Sequence, residues 1–444
     1  MARKKQNNII GEFIQPFQRF FQIEAASGIV LLIATAAALY WANSPWSSTY
    51  HDFWESHFSF KLGNFFEMDN SLLHWINDGL MAIFFFVVGL EIKRELLAGE
   101  LSSIKKASLP IAAALGGMLI PAIFYILLNT NPITEVGWGI PMATDIAFSI
   151  GVLSLLGRRV PIALKVFLVA FAIVDDLGAV LIIAIFYSQE ILWYYLLIAI
   201  ILLLVLAIFN RLNIKWIPPY MVLGWIIWYL FYKAGIHPTI AGVLIAFTIP
   251  VKRSARLLTF KINMQNNLDY FCAHPNNKNA ITLTNNQLAA IDNMEEEILD
   301  VQSPVQRLEH TLHTFVTFIV MPLFALANAG VVLHGIDVSG LFLGLSGVIQ
   351  FSLIFGKLSG IFIFSWLAVK IGVASLPEGV VWKQIIGLAL LGGMGFTMSL
   401  FISNLAFTTI DILNPAKIGI LAGSLIAGIS GYIILKISLK NNTN

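Results

Sequence analysis

The sequence predicts an all-α polytopic membrane protein: twelve transmembrane helices, two of them discontinuous, and one small extramembrane β-hairpin. Three observations carry that prediction. The 444 residues are 58% hydrophobic and only 12% charged, with mean hydropathy +0.80, whereas soluble domains carry about 25% charged residues. Apolar runs near the roughly 20 residues that cross a bilayer recur along most of the chain. Two of those runs, one in each half, are interrupted by Pro or Gly beside polar residues, the pattern of broken helices rather than of loops.

In order, the runs fall near 23–43, 71–95, 107–128, 134–156, 162–187, 190–209, 216–233, 236–251, 308–332, 343–370, 381–407 and 414–436. Residues 1–22 read as an N-terminal segment, 23–251 as spans one to eight, 252–304 as an inserted segment, 305–436 as spans nine to twelve and 437–444 as a tail. With the N-terminus inside, the inner segments hold all of the 27 lysines and arginines except Lys61, Lys233, Lys417 and the mid-span Lys357. Short loops rich in Lys and Arg stay cytoplasmic, so both termini are placed there. The basic start Arg3-Lys4-Lys5 runs into a polar stretch rather than a short apolar core, so no cleavable leader is expected. The single cysteine, Cys272, excludes an intrachain disulfide.

Two segments lie outside the spans. Residues 57–66 alternate around Gly63-Asn64 and predict an outer β-hairpin. Two strands alone are marginal in water, so this hairpin is expected to pair with something. The inner segment 252–304 is expected to hold one amphipathic helix, marked by Leu288, Ile291 and Ile298, and otherwise to be largely mobile, a tolerated insertion with a regulatory domain as the alternative.

Chemistry concentrates in the fifth span, Lys165 to Tyr187, which is apolar apart from Asp175 and Asp176 at its middle. A charged carboxylate at the bilayer centre costs about 2.5–3.5 kcal/mol, so the two together cost about 5–7 kcal/mol, and such residues usually mark ion or proton pathways. Adjacent helical positions diverge by about 100°, so the two are expected to have different partners. Three further ionisable residues lie deep: Asp78 in span two, Asp145 in span four and Lys357 in span ten. A mid-span lysine among aspartates predicts charge pairing.

The interrupted runs are Pro141-Met142-Ala143-Thr144-Asp145 in span four and Gly392-Gly393-Met394-Gly395 in span eleven. Glycines there are poor helix formers and permit an extended crossing. Half-helix ends bring partial charges to the membrane centre, where a carboxylate offsets N-terminal ends and an ammonium C-terminal ends. Asp145 and Lys357 have the matching signs. Glu91, Arg94 and Glu95 close span two, and Glu309, His310 and His313 open span nine. Histidines among carboxylates titrate near neutrality, which suits a pH-responsive entrance. His237 precedes Pro238 at an outer helix end.

Together these stretches resemble the NhaA-type sodium/proton antiporter family. The resemblance rests on WINDGLMAIFFFVVGLEIKREL from Trp75, TDIAFSIGVLSLLG from Thr144, AIVDDLGAV from Ala172, RLEH from Arg307, PLFALANAG from Pro322, FGKLSG from Phe355 and GGMGFTMSLFI from Gly392. It implies inverted-topology repeats of spans 3–5 and 10–12, with spans 4 and 11 crossing as broken helices. It implies that Asp175 and Asp176 bind sodium or lithium in competition with protons, that Lys357 pairs with Asp175, and that Thr144 and Asp145 support the crossing. Glu91, Arg94, Glu95, Glu309, His310 and His237 would belong to a pH response. Exchange would be electrogenic, two protons inward per sodium outward, in a bacterial inner membrane and in a homodimer joined by the hairpin. Sodium, lithium, protons and membrane lipid are the partners implied, with no cofactor and no nucleic acid. A passive cation channel and an intramembrane aspartyl protease are the alternatives. The protease reading lacks the Gly-x-Gly-Asp setting and leaves Lys357 without a role.

Overall fold

The computed structural model describes residues 26–62, 66–188, 190–252, 257–273, 282–333 and 342–440. Arg3, Lys4, Lys5, Arg19, Arg253, Arg256 and Lys278, on which part of the orientation rests, lie outside the described residues, as does the Gly63-Asn64 turn. The described chain is helical but for one two-stranded sheet.

The helices run as α1 (Ala26–Ala42), α2 (Ser47–Glu55), α3 (Leu72–Ala98), α4 (Ile104–Leu128), α5 (Ile146–Ser154), α6 (Ile162–Phe186), α7 (Trp193–Arg211) and α8 (Pro218–Ala234). They continue as α9 (Pro238–Thr248), α10 (Leu257–Ala273), α11 (Asn285–Val301), α12 (Pro304–Asn328), α13 (Gly344–Lys370), α14 (Trp382–Gly392), α15 (Phe396–Ala406) and α16 (Ile410–Lys440). Among the described residues, seven helices are singly long and apolar enough to cross a membrane, and ten spans result if each bent pair counts as one. The bent pairs are α1 with α2 (113°), the 3₁₀ segment Pro132–Met142 with α5 (47°), and α14 with α15 (41°). The sequence predicts twelve runs; α8, with 17 residues, and α9, with 11, are the short ones.

Two compact units share the chain. One comprises the described parts of 1–84, 95–189 and 315–444; the other, those of 85–94 and 190–314. In the first unit, Gly116 of α4 and Gly360 of α13 face each other so closely that a Cβ on either would overlap the other's backbone carbonyl. Small residues let membrane helices approach in this way, and the approach holds α13, with Lys357, firmly against α4. Single π-turns interrupt α3 at Trp75–Leu80, α12 at Val316–Val320 and α13 at Ser352–Gly356. Such insertions re-aim the side chains around them and favour functional sites; Asp78 lies within the first and Lys357 immediately follows the last.

The hairpin is longer than the sequence reading. Strands β1 (His57–Leu62) and β2 (Phe66–Ser71) pair antiparallel from His57↔Ser71 to Leu62↔Phe66, so the returning strand continues five residues past position 66. The polar run Glu67 to Asn70 hid it, although Met68 is buried between exposed Glu67 and Asp69. Trp75 Nε1 donates to the Phe58 carbonyl at 3.0 Å and its ring meets Phe58 edge-on, tying the ribbon to the start of α3.

The inserted segment also departs from expectation. It holds two helices, α10 and α11, not one. Asn263 of α10 donates to Glu297 of α11 at 2.6 Å, and Thr284 with Gln287 forms a capping box at the start of α11. The polar run Gln265-Asn266-Asn267 masked the helical pattern of α10 in the sequence.

Candidate functional site

In the first unit, two of the three bent pairs meet. Thr144 and Asp145 fill the gap between the 3₁₀ segment and α5, and Gly393 to Gly395 fill the gap between α14 and α15. The two gaps touch: the Asp145 N–H donates to the Met394 carbonyl at 2.7 Å, and Thr144 Oγ1 donates to the Gly392 carbonyl at 2.8 Å. Ser149 Oγ donates to the Leu391 carbonyl and Ser399 Oγ to the Ile140 carbonyl, so each pair satisfies the other's orphan end groups. No water in the hydrocarbon could do that.

Asp145 is the N-cap of α5. One oxygen accepts from the Phe148 N–H at 2.9 Å, and the other from the Thr397 N–H at 3.2 Å and from the Thr397 hydroxyl. A single carboxylate therefore offsets the positive ends of both second halves. At Gly393 the requirement is space rather than helix breaking. Its backbone (φ −76°, ψ −1°) suits any residue, but a Cβ there would stand 2.6 Å from the Leu353 carbonyl oxygen. Gly392 and Gly395 are likewise buried, facing Ile361 and Ala143 respectively.

Lys357, Asp175 and Asp176 stand beside this crossing, exposed to 0%, 0% and 1%. Lys357 Nζ donates to both Asp175 oxygens, at 2.8 and 3.0 Å, and to Thr144 Oγ1 at 2.9 Å. The Thr144 hydroxyl in turn donates its hydrogen bond to the Gly392 carbonyl, so the ammonium is linked through one hydroxyl to the negative end of α14. Asp176 follows on α6, about 100° further round. Carboxylate oxygens of this kind suit a hard monovalent or divalent cation.

Asp78 is not part of that group. It pairs with His74 one turn earlier, Nε2 to Oδ2 at 2.9 Å, a partner the sequence reading missed although the i, i+4 spacing shows it. Nearby, Asn328 at the end of α12 accepts from Asn404 of α15 at 2.6 Å and donates to Asn77 at 2.9 Å. Neutral amides gave no charge signal by which to find them.

In the second unit Arg94 Nε reaches both oxygens of Glu309, at 2.9 and 3.1 Å. A cavity of about 430 Å³ is lined by Arg94, Gln306, Glu309, His310, His313 and Thr314. His237 is outside that cavity, at the start of α9 with Nδ1 2.8 Å from Thr239 Oγ1. Glu91 is half-buried on α3, and Glu95, in the first unit, accepts the Glu100 N–H at 2.9 Å. Lys93, read from sequence only as an inner charge, is buried and donates to the carbonyls of Phe247 and Ile249 at the end of α9, where a cation is favoured.

Residues 18–435 match the family model described as Na+/H+ antiporter 1. The chain belongs to that family. Its relatives include the Na(+)/H(+) antiporter NhaA of Oleidesulfovibrio alaskensis, 46% identical over 97% of this chain and 96% of that protein. That of Sulfurimonas denitrificans is 48% identical over 96% of each. Among solved structures, the sodium proton antiporter MjNhaP1 from Methanocaldococcus jannaschii has a TM-score of 0.45 at 13% identity, over 96% of this chain and 99% of that one. Members of the Na+/H+ antiporter 1 family are transporters and not enzymes, and this chain is a multi-pass membrane protein.

Proposed function

We propose that this protein is a secondary antiporter that exports sodium, or lithium, in exchange for protons, electrogenically and with activation at alkaline pH. The reading takes it as twelve spans in a bacterial inner membrane, both termini cytoplasmic, with spans 3–5 and 10–12 as inverted repeats. The observation that carries it is the buried Asp175–Lys357 pair beside Asp176, at a point where two bent helix pairs meet. Asp176 takes the transported cation, with Asp175 as the second carboxylate, and no cofactor is involved. Competition couples the fluxes: a carboxylate site holds either a proton or a cation, and opening it to one side at a time turns that choice into exchange. Thr144, Asp145, Gly392, Gly393 and Gly395 keep the crossing in shape. Arg94, Glu309, His310 and His313, with Glu91, Glu95 and His237, tune the response to pH, and Asp78 with His74 is auxiliary. The dimer forms through the β1–β2 ribbon.

Proteoliposomes with equal sodium inside and outside, given an inward proton gradient, test the reading. Sodium efflux that stops when the proton gradient is collapsed, and that Asp176→Asn abolishes in a folded, membrane-inserted protein, is the expected result. Sodium efflux independent of the proton gradient would instead indicate a passive channel.

A further inference from the structure

The transport site leaves one basic cavity of the first unit unused. It lies between the chain just beyond α5 and the last turns of α16, with a volume of about 250 Å³, and is lined by Leu155, Leu156, Arg159, Tyr432, Lys436 and Leu439. Arg159 comes from the single 3₁₀ turn Gly157–Arg159. Tyr432, Lys436 and Leu439 recur at i, i+4 and i+7 and so present one stripe of α16. Lys436 Nζ stands 5.5 Å from the centroid of the Tyr432 ring. Neither Arg159 nor Lys436 has a carboxylate partner among the described residues, and both are exposed.

We propose that this cavity binds the headgroup of an anionic phospholipid, its phosphate held between Arg159 and Lys436. Four things fit together. Two uncompensated cations converge on one small cavity, and Arg offers a planar fork suited to a phosphate. The cavity is smaller than the roughly 300–1,000 Å³ that hold a drug-sized ligand, which admits a headgroup but not a whole lipid. Apolar surface adjoins it: Leu155 of its lining is 59% exposed, and Ile433 and Ile437, each next in sequence to a lining residue of α16, are 48% and 62% exposed, a surface suited to acyl chains. By the lysine and arginine distribution this is also the cytoplasmic end of both elements, where basic pockets between helices bind acidic lipids. A lipid seated there would bridge α5, the helix capped by Asp145, to α16.

Native mass spectrometry of the purified full-length protein in neutral detergent tests this, titrated separately with phosphatidylglycerol and phosphatidylcholine. The first bound phosphatidylglycerol is expected to be preferred by at least about fivefold. Arg159→Gln with Lys436→Gln should reduce that preference to less than about twofold. Lys105→Gln with Lys106→Gln removes the same charge from two exposed lysines outside the cavity and should leave the preference unchanged. Lys436→Glu, a single exposed replacement, should reproduce the loss if the double variant fails to fold. Equal preference in parent and Lys436→Glu, or an equal loss in the Lys105/Lys106 control, overturns the site. Displacement of phosphatidylglycerol by glycerol phosphate at equal concentration overturns the lipid assignment in favour of a soluble phosphate.

Discussion

The Asp145 carboxylate accepts two hydrogen bonds from Thr397, one from its backbone N–H and one from its hydroxyl, and so caps a helix 252 residues away as well as its own. The second halves of the two bent pairs would otherwise aim positive ends at one another. One carboxylate between them lets both remain at the membrane centre.

Asp145→Ala should therefore remove two caps at once. At about 0.5–2 kcal/mol per cap, the loss is about 1–4 kcal/mol, read as a lower thermal unfolding temperature in detergent. Asp145→Asn keeps one acceptor oxygen and should fall between parent and Ala. If Asn were as costly as Ala, the charge rather than the paired caps would hold the crossing.

That double cap also marks the limit of what the sequence makes legible. The membrane class, the interruptions in spans four and eleven and the charge pairing of Lys357 follow from mid-span Pro, Gly and charge, since each is costly in lipid and so needs a reason; Asp175 as its partner is implied only by the family resemblance. Thr397, Ser149, Ser399 and the Asn77–Asn328–Asn404 cluster carry no such cost. Their roles come from contacts between distant segments, and nothing local to each residue reports them. The second strand of the hairpin and helix α10 were hidden for a related reason: polar runs such as Glu67 to Asn70 and Gln265 to Asn267 hide a strand or helix whose pairing is set by its neighbour.

The hairpin offers a direct test of assembly. Phe58 and Phe60 are 54% and 47% exposed on β1, a large apolar face for a two-stranded ribbon. Deleting Ser59 to Phe66 should lower the dimer fraction on dilution in detergent while the protomer keeps exchanging ions. Equal dimer fractions in deletion and parent across the dilution series would place the dimer contact elsewhere.

In the proposed mechanism, competition at Asp175 and Asp176 fixes the sign of the pH dependence. Sodium needs the ionised carboxylates, and protons remove them, so acid raises the apparent KM for sodium. The expected change approaches about tenfold per pH unit for each proton displaced. Saturating sodium should then restore the rate wherever competition alone limits it. Exchange measured in proteoliposomes at several pH values and sodium concentrations checks this. A maximal rate that falls in acid at an unchanged KM would shift the pH response to the Arg94–Glu309 cavity instead.

Lys357 poses the remaining question, whether it moves a proton or only holds the crossing together. Its ammonium is bonded to Asp175 and, through Thr144, to the carbonyl end of α14. A cation arriving at Asp175 competes for the same oxygens, and the displaced lysine then faces a fully buried position without its counter-charge. If the lysine is a carrier, it releases its proton in that state, which with the proton from Asp176 gives two per sodium. Lys357→Gln leaves Asp175 buried beside a neutral amide. Breaking one side of a buried pair costs about 3–5 kcal/mol, so stability should fall whichever role the lysine has. Stoichiometry separates the roles. If the lysine carries a proton, the variant exchanges one proton per sodium and an imposed membrane potential no longer drives it. If the lysine is only a brace, two protons still move and the reversal potential matches the parent's, which would make Asp175 the second carrier. Sodium flux in liposomes clamped at a series of potassium diffusion potentials distinguishes them, and the one-proton, potential-insensitive result is the one expected.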